Sequence, residues 1–399
     1  MDHLSKILMG GEVKVSRVTS TVYNFEGHRT LLAPPKIVLP AVETFNNQSE
    51  PPPAYTREIE IRTNKATLEG SDLILFPKSG CILESNHRGY TLIEESTWHS
   101  DFRSDPDARI TQISNRIFLD QIDFRECEED SDIIWGPFWH HYFHWIIDVL
   151  PRLHASMKDR FKNRKTVLPF AAPGSMQAIL ANAYGVRLED IHSQPQSVIR
   201  FSNSRYFAFD SHETLGSIPP GIPSATGGAH HFKGWTPDFF EDLYERAKTI
   251  VRSSSEKHSP RRIYVSRRDA PTRKCRNEAE IVNLLLQHGF EIVCPGELNL
   301  YQQIITFQDA DIIIGLHGAG LTNIVWAPRS ARVLEIMPSG YNDIGYRFIA
   351  GLRGMEYHAL MATMIKDPNL HGHEALKHAD CRVDMHLFSL ALSRILMQH

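Results

Sequence analysis

Five basic residues lie within ten positions, directly after a short strand-like run, Arg262–Ser266. Guanidinium groups bind a diphosphate in a bidentate manner and stabilise it as a leaving group. We therefore predict a phosphate-binding site at this strand end, with Arg267 and Arg273 as its main ligands. A solvated basic loop is the alternative. The five basic residues are Arg267, Arg268, Arg273, Lys274 and Arg276.

A glycine-containing turn is the second candidate site. It reads GLHGAGLTN over Gly315–Asn323, after the apolar strand Asp311–Gly315 and before a predicted short helix. Glycines let a backbone approach a phosphate closely, and a helix N-terminus supplies free N–H donors. A plain strand–helix turn with a structural histidine is the alternative. The residues predicted to bind the phosphate-bearing ligand are His317, Gly318, Ala319, Gly320, Thr322 and Asn323.

Glu335 ends the next predicted strand, Arg332–Ile336. A carboxylate at that position can accept hydrogen bonds from ribose hydroxyls, as in dinucleotide folds. A buried glutamate needs a partner in any case, so a structural carboxylate paired with an arginine carries equal weight.

A histidine cluster forms the third candidate site. His140 and His144 are four residues apart, as are His144 and Asp148, so on a helix they share one face. Two imidazoles at this spacing can bind a metal ion, whereas a single one can act as a general base. The His-Glu-x-x-His signature is absent, which disfavours the metal. Hydrogen-bonded histidines at a helix start are the structural alternative. Pro151 predicts a kink or break in this helix.

These residues need elements that bring them together. From residue 261 onward, predicted strands and helices alternate, which indicates a parallel sheet with right-handed crossovers and ligands at the carboxyl ends of its strands. Asn277 is predicted to cap one of these helices, with Glu280 at the capping-box position. Residues 57–125 contain short alternating runs typical of strands. The Gly- and Pro-rich stretch 210–237 predicts a linker or an active-site loop.

We therefore predict an α/β protein with two domains. An N-terminal domain, 1–235, is strand-rich over 1–125 and α/β over 126–235. A C-terminal domain, 236–382, binds the phosphate-bearing ligand, and a final helix, 383–399, can cross back onto the first domain.

Composition excludes several classes of protein. The formal net charge of -4 gives no electrostatic basis for nucleic acid as the main partner. The five cysteines lack metal-site spacing and favour a reducing compartment. No signal peptide and no apolar run of the roughly 18 residues that span a bilayer is recognisable. We expect a soluble, cytoplasmic protein, and docking on a membrane surface stays open.

The sequence contains a series of short motifs whose order and spacing resemble those of glycosyltransferase family 61. They begin with Phe143-His144-Trp145 and the LPRL segment at Leu150, and continue through Ser266-Arg267-Arg268, Asn277-Glu278 and the glycine turn to Val333-Leu334-Glu335. The blocks cover about 138–337, over half of the chain. Residues 1–125 carry no diagnostic motif.

The resemblance implies an inverting enzyme of the GT-B type, in which two Rossmann-like halves with parallel sheets face a cleft. It implies a nucleotide-sugar donor, commonly UDP-linked, a glycan or polysaccharide acceptor, and no metal or other cofactor. Asn277 joins the donor-binding residues on this basis. His144 or Asp148 would be the catalytic base, with His144 favoured because an imidazole titrates near neutral pH. We expect a bacterial enzyme of polysaccharide biosynthesis, working at the inner face of the membrane.

Two other functions stay open at this point. One is a catalytically inactive family member that binds a glycan or a nucleotide. The other, less favoured, is a metal-dependent hydrolase that uses the His140 and His144 cluster.

Overall fold

The computed structural model defines two compact units. The described residues of the first unit lie within Met1–Pro35 and Arg62–Thr214, and those of the second within Lys36–Ile61 and Thr236–His399. The predicted domain boundaries stay a prediction, and the linker predicted at 210–237 lies almost wholly outside the described residues. The structure describes residues 6–8, 11–16, 22–23, 29–30, 36–39, 43–46, 59–62, 64–86, 89–93, 110–113, 116–119, 122–136, 139–158, 164–169, 174–186, 197–210, 236–252, 260–341, 343–365 and 378–397.

The first unit is built on a mixed sheet with 11 strands among the described residues. Its order is β1-β13-β16-β8-β9-β10-β2-β12-β11, with β14 between β15 and β16. The strands of this sheet are β1 (Lys6–Leu8), β2 (Gly11–Ser16), β8 (Asn64–Leu75), β9 (Ile82–Asn86), β10 (Gly89–Ile93), β11 (Ile110–Ile113), β12 (Arg116–Leu119), β13 (Ile122–Cys127), β14 (Ser131–Ile133), β15 (Lys165–Val167) and β16 (Ile199–Asp210). Two short strands, β3 (Val22–Tyr23) and β4 (Arg29–Thr30), pair with each other.

This sheet corrects the prediction of parallel sheets in both halves. Strands β8, β9 and β10 form antiparallel pairs, and β16 also pairs antiparallel with β8. The parallel pairs β13–β16, β14–β15 and β14–β16 lie near the helices of this unit, while β2 and β10 form a further parallel pair. Short strands separated by turn residues favour antiparallel hairpins, whereas the parallel strands β14, β15 and β16 are joined by connections that contain helices.

The helical crossover between β14 and β15 carries the histidine cluster. It consists of α1 (Tyr142–His144), a π-helical segment (Trp145–Val149) and α2 (Leu150–Lys158), and α3 (Met176–Ala183) follows β15. Leu150 N–H bonds to the Trp145 carbonyl, the wider hydrogen bond of a π turn. The break predicted at Pro151 is therefore a π segment just before the proline, and the helix continues beyond it. Proline lacks the N–H that a regular α-helix would need at that point.

The second unit contains the predicted parallel sheet. Its order is β18-β17-β19-β20-β21-β22, and β6 also pairs with β21. The strands are β5 (Lys36–Leu39), β6 (Glu43–Phe45), β7 (Ile59–Arg62), β17 (Arg262–Val265), β18 (Glu291–Val293), β19 (Ile312–Leu316), β20 (Arg332–Pro338), β21 (Glu356–Met364) and β22 (Cys381–Arg382). The helices are α4 (Pro237–Arg252), α5 (Glu278–Gln287), α6 (Leu300–Gln308), α7 (Gly345–Arg353) and α8 (Met385–Met397), with 3-10 segments at Pro295–Glu297 and Ala319–Trp326.

Apolar strands explain why this sheet is parallel and buried on both faces. Every residue of β19 is buried, as expected for a central parallel strand covered by helices. Side chains of α5 and α8 pack with alternate residues of β17, β19, β20 and β21 in one core cluster. The predicted strands and helices from residue 261 onward are confirmed, with boundaries within a few residues.

The start of α5 differs from the prediction. The Asn277 side chain makes no capping hydrogen bond, so the expected capping box with Glu280 is wrong. The capping box of this unit is instead at α6, where Asn299 and Gln302 exchange side-chain and backbone hydrogen bonds. In the part of the chain that the structure describes, no helix has both the length and the apolar composition needed to cross a bilayer.

Candidate donor-binding site

Three loops of the second unit meet at one edge of its sheet. They follow the neighbouring parallel strands β17, β19 and β20, whose carboxyl ends point the same way. We call residues 266–277 the arginine loop and His317–Gly320 the glycine turn. The third loop, 339–344, leads into α7. The topology therefore brings together the two motifs that the sequence separates by about forty residues.

Close packing explains the glycines of the turn. A Cβ atom built on Gly318 would lie 1.5 Å from Arg267 Nη1, so the guanidinium group occupies the space that a side chain would fill. A Cβ on Gly320 would lie 3.2 Å from Val265 Cγ1 and 3.3 Å from Pro295 Cγ. Ala319, in contrast, is exposed. The glycines thus let an arginine side chain lie directly on the turn.

Arg267 and Arg273 place two positive charges side by side. Burial, with Arg273 as the next cause, lowers the pKa of Arg267. The Nε atoms of both arginines are buried without a hydrogen-bond partner. Neither guanidinium forms a salt bridge with any carboxylate of the described residues; Arg267 donates to the Thr272 carbonyl at 3.3 Å and Arg273 lies 5.2 Å from the Tyr341 ring centre. Paired cations without a protein anion are a site suited to a bound anion.

The other basic residues predicted here point elsewhere. Arg268 is exposed and forms a salt bridge with Glu297, and Arg276 forms one with Asp380 at 2.7 Å. Lys274 is exposed as well. Only Arg267 and Arg273 were predicted as ligands among the five basic residues, and their contact with a ligand stays a prediction.

His317 forms a buried pair with Glu335. Its Nδ1 lies 2.5 Å from Glu335 Oε1, and Tyr357 donates to the other carboxylate oxygen. Burial lowers the pKa of His317 to about 3 and raises that of Glu335 well above its usual value. Both shifts favour a neutral pair, in which the carboxyl donates to Nδ1 and Nε2 of His317 carries the remaining N–H donor.

Glu335 was predicted either to bind ribose hydroxyls or to pair with an arginine. Glu335 is fully buried and its two oxygens are engaged by His317 and Tyr357, not by an arginine. Contact with a ribose stays a prediction, but this carboxyl can act on a ligand through His317, whose ring it orients.

Tyr346 forms a hydrogen bond with the backbone of the glycine turn. Its hydroxyl donates to the Gly318 carbonyl at 2.7 Å and lies 3.4 Å from Thr322 Oγ1. Asn323 donates to the Gly320 carbonyl at 3.0 Å and accepts from Trp326. Thr322 and Asn323 are fully buried, so in this arrangement they brace the turn.

Asn277 is engaged within the protein. Its amide donates to the Val383 carbonyl at 2.9 Å and accepts from the Val383 N–H at 3.0 Å. Through these two hydrogen bonds, the Asn277 side chain joins the arginine loop to Val383, which follows β22. Its predicted contact with the donor stays a prediction.

Sequence reasoning missed the aromatic and acidic groups around His317. The rings of Tyr341 and Tyr346 lie 4.8 Å and 5.1 Å from the His317 ring. Asp343 Oδ1 accepts from the Gly345 N–H at 2.8 Å, and its charge raises the pKa of His317 against the larger effect of burial. Their position in the sequence could have indicated them, because Tyr341, Asp343 and Tyr346 follow β20, and the carboxyl end of β20 lies at the same edge of the sheet as the glycine turn.

The predicted catalytic residues pair within the first unit. His144 Nδ1 lies 2.7 Å from Asp148 Oδ2, and their side chains are 15% and 6% exposed. A carboxylate can only accept, so Nδ1 carries the proton and Nε2 of the neutral ring holds the lone pair. Arg152 donates to the Asp148 carbonyl in the following turn. The pair thus has the arrangement of a base oriented by a carboxylate.

His140 lies outside this pair. It is exposed, and its ring is tilted by 43° against that of His141, with the ring centres 4.3 Å apart. Burial, then the neighbouring His140 and then His144 lower the pKa of His141, which disfavours a second charge in the cluster. Within the described ranges no group of three or more His, Cys, Asp or Glu side chains has an arrangement that could hold a metal ion.

Comparison with known proteins identifies the family. Residues 142–334 match the family described as Glycosyltransferase 61. This segment, just under half of the chain, belongs to glycosyltransferase family 61. The matched segment begins at the helix with His144 and Asp148 and includes the arginine loop and the glycine turn, while Glu335 lies one residue beyond it.

Individual relatives of this family 61 member are longer proteins of plants and mammals. The chain is 38% identical over 80 residues to a beta-1,2-xylosyltransferase of Arabidopsis thaliana, which covers 20% of this chain and 13% of the relative. It is 33% identical over 111 residues to the alpha-1,3-arabinosyltransferase XAT2 of Oryza sativa subsp. japonica, covering 26% and 18%. It is 35% identical over 101 residues to the EGF domain-specific O-linked N-acetylglucosamine transferase of Bos taurus, covering 24% and 19%. The chain thus spans less than a fifth of each of these relatives.

Proposed function

We propose that this chain is an inverting glycosyltransferase that moves a sugar from a nucleotide-sugar, UDP-linked in our proposal, to a glycan or polysaccharide acceptor. Membership of family 61 and relatives named as xylosyl-, arabinosyl- and N-acetylglucosaminyltransferases support the reaction class. The observation that carries the proposal is the pair of guanidinium groups, Arg267 and Arg273, neither of which forms a salt bridge among the described residues. Arg267 lies against the glycine turn, and Arg273 lies 5.2 Å from the Tyr341 ring centre.

A diphosphate fits this pair for electrostatic reasons. Arg267 and Arg273 are half-buried like charges that repel each other: after burial, the charge of Arg273 is the next cause that lowers the pKa of Arg267. A dianionic ligand relieves that repulsion. The Gly318–Gly320 backbone and the neutral His317 add N–H donors without adding charge. The same groups stabilise the diphosphate as it leaves, so we propose that no metal ion is required.

In the proposed reaction, an acceptor hydroxyl oxygen attacks the anomeric carbon as the bond from that carbon to the diphosphate oxygen breaks. Attack from the opposite face inverts the configuration. The hydroxyl proton passes to a base, which we assign to His144 with Asp148 as its orienting carboxylate. The hydrogen bond of Nδ1 to Asp148 supports this assignment, because it leaves Nε2 as the accepting nitrogen and stabilises the imidazolium that forms.

Nucleotide binding tests the donor half of the proposal. Saturating UDP is expected to raise the melting temperature, since a ligand at about a hundred times its Kd stabilises by about 2.7 kcal/mol. NAD and ATP should produce a smaller shift. Arg267→Met and Arg273→Met should each weaken UDP binding by roughly tenfold or more, because each removes a charge-assisted hydrogen bond.

Arg268→Met is the matched control for these variants. Arg268 belongs to the same loop, but it is exposed and paired with Glu297. Its replacement should leave UDP binding unchanged. Equal weakening by all three substitutions would indicate only a general effect of net charge and would contradict the assignment of Arg267 and Arg273.

Turnover separates an enzyme from a binding protein. Release of UDP with a panel of glycan acceptors is expected. Binding of UDP without release from any nucleotide-sugar, across that panel, would favour the catalytically inactive alternative. A location at the cytoplasmic face of a membrane stays a prediction that cell fractionation can test.

A further inference from the structure

Two buried thiols face each other where the arginine loop meets residues 378–383. Cys275 and Cys381 are paired residues of a parallel β-bridge. The Arg276 N–H donates to the Cys381 carbonyl at 2.8 Å, and the Cys381 N–H donates to the Lys274 carbonyl at 2.9 Å. Both side chains belong to the core cluster beneath the sheet, where Cys275 is 8% exposed and Cys381 is fully buried.

We propose that Cys275 and Cys381 form a reversible disulfide that locks the arginine loop onto residues 378–383. Residues paired across adjacent strands have Cα atoms about 4.8 Å apart, within the range of about 4.4–6.8 Å that disulfides require. Their side chains leave the bridge on the same face, which the shared core cluster confirms. The backbone therefore needs little movement to form the bond.

Exposure decides which sulfur a reagent reaches first. Cys275 is 8% exposed, whereas Cys381 is fully buried behind it. The contact with Cys275 and then burial raise the pKa of the Cys381 thiol. We therefore expect Cys275, as its thiolate, to attack the reagent and Cys381 to resolve.

The reaction balances with a small-molecule disulfide as the oxidant. The Cys275 thiolate attacks one sulfur of oxidised dithiothreitol, and the second sulfur of the reagent leaves as a thiolate. The Cys381 sulfur, after losing its proton, then attacks Cys275 Sγ and releases reduced dithiothreitol. Two electrons and two protons pass from the protein thiols to the reagent, and one S–S bond is gained as another is lost.

The bond would act on the position of Arg273. Residues 273–277 already lie along residues 378–383: the Arg273 N–H donates to the His378 carbonyl at 3.3 Å, and Arg276 pairs with Asp380. Arg273 has a left-handed backbone, with φ 56°, which costs a non-glycine residue free energy. A covalent lock would hold this conformation. This consequence rests on the proposed function, and we expect the oxidised form to bind UDP several-fold more tightly.

The test uses the full chain in its native state. Incubation with oxidised dithiothreitol should lower the intact mass by about 2 Da, and peptide mapping without reduction should find one linked pair, Cys275 with Cys381. Because the bond closes a loop of about 100 residues, the melting temperature should rise by several degrees and return after reduction. Cys381→Ser should abolish all three effects.

Cys294→Ser is the matched control. Cys294 is also buried in this unit, but outside the thiol pair, so its variant should still form the bond. Alkylation of both Cys275 and Cys381 after treatment of the wild-type protein, or a link to another cysteine, would overturn the proposal. A disulfide that forms in a protein that fails to bind UDP would support this proposal and reject the proposed function.

Discussion

Burial lowers the pKa of His317 and keeps its ring neutral, while its buried neighbour Glu335 holds the proton of the pair. Glu335 is fully buried, lies 2.5 Å from the imidazole and has a raised pKa, so the proton resides on the carboxyl. A neutral His317 then donates from Nε2 without adding a third positive charge beside Arg267 and Arg273. Under the proposed function, the neutral pair leaves the two arginines as the positive charges that bind the diphosphate.

This pair predicts an unusual dependence of stability on pH. Between pH 4.5 and 6.5, the unfolded chain holds a proton on His317, whereas the folded chain holds one on Glu335. The two contributions cancel, so the free energy of unfolding gains no slope from the pair. In Glu335→Gln only the His317 contribution remains. Its lowered pKa makes that variant lose about 1.4 kcal/mol per pH unit as the pH falls below 6.5.

Urea unfolding at about pH 7 and pH 5 measures this slope. At neutral pH, Glu335→Gln should be more stable than the wild type, because its amide can donate to His317 and accept from Tyr357 but does not ionise in the unfolded chain as Glu335 does above about pH 4.5; the two stabilities should converge as the pH falls toward 4.5. Glu297→Gln, at an exposed carboxylate, should show no added slope in this range. A large loss at neutral pH with no added slope would instead indicate a charged ion pair.

The base assignment predicts large effects on turnover. His144→Ala should lower kcat by about 10²–10⁴-fold, the usual contribution of a general base. Asp148→Ala should lower it less, because the imidazole remains. His141→Ala is the control, since the Nδ1 hydrogen bond to Asp148 belongs to His144. Near-normal turnover of both the His144 and Asp148 variants would show that the base is another residue.

At the scale of elements, one tyrosine joins α7 to the 3-10 segment that carries the glycine turn. Tyr346→Phe removes the hydrogen bond from its hydroxyl to the Gly318 carbonyl while keeping the ring against His317. We expect a loss of about 1 kcal/mol in stability. The KM for the nucleotide-sugar should rise several-fold, because the turn is less firmly oriented, while kcat changes little.

Steady-state kinetics and chemical unfolding measure these two effects. Tyr357→Phe offers a comparison, since it removes a bond to Glu335 and leaves the turn untouched. If Tyr346→Phe lost the expected stability but its KM stayed unchanged, Tyr346 would support only the fold and not the binding of the nucleotide-sugar.

The strands and helices of the second unit were predicted correctly because their apolar pattern is clear. Strands such as Ile312–Leu316 are continuous apolar runs between helices, and that pattern dictates a parallel sheet. The first unit gave no such signal. Its strand β16 pairs with β8, which lies more than a hundred residues earlier, and local sequence does not encode so distant a partner. The π segment before Pro151 likewise replaced a predicted break, because the widened turn accommodates the missing N–H.

At the scale of the whole molecule, the proposed metal independence can be tested by chelation. Dialysis against EDTA should leave turnover unchanged, because Arg267, Arg273 and the glycine turn supply the positive field at the diphosphate. A metal Lewis acid contributes several kcal/mol to a reaction, so removal of an essential ion would lower turnover by more than about 100-fold. Such a loss, restored by added Mn²⁺ or Mg²⁺, would refute the proposal.

The sequence by itself determined the chemistry and the edge of the sheet where donor binding is proposed. The order of strand, arginine loop, strand and glycine turn identified the family, because parallel strands bring their carboxyl ends to one edge. Only the tertiary structure decided which side chains lie there. It placed Arg267 against the turn, Arg273 beside Tyr341 and Arg268 in a salt bridge with Glu297. It also buried Glu335 against His317 and placed Cys275 beside Cys381, although the spacing of the cysteines indicated no pairing. Direction and burial depend on contacts between residues far apart in the chain, and local sequence cannot specify these contacts.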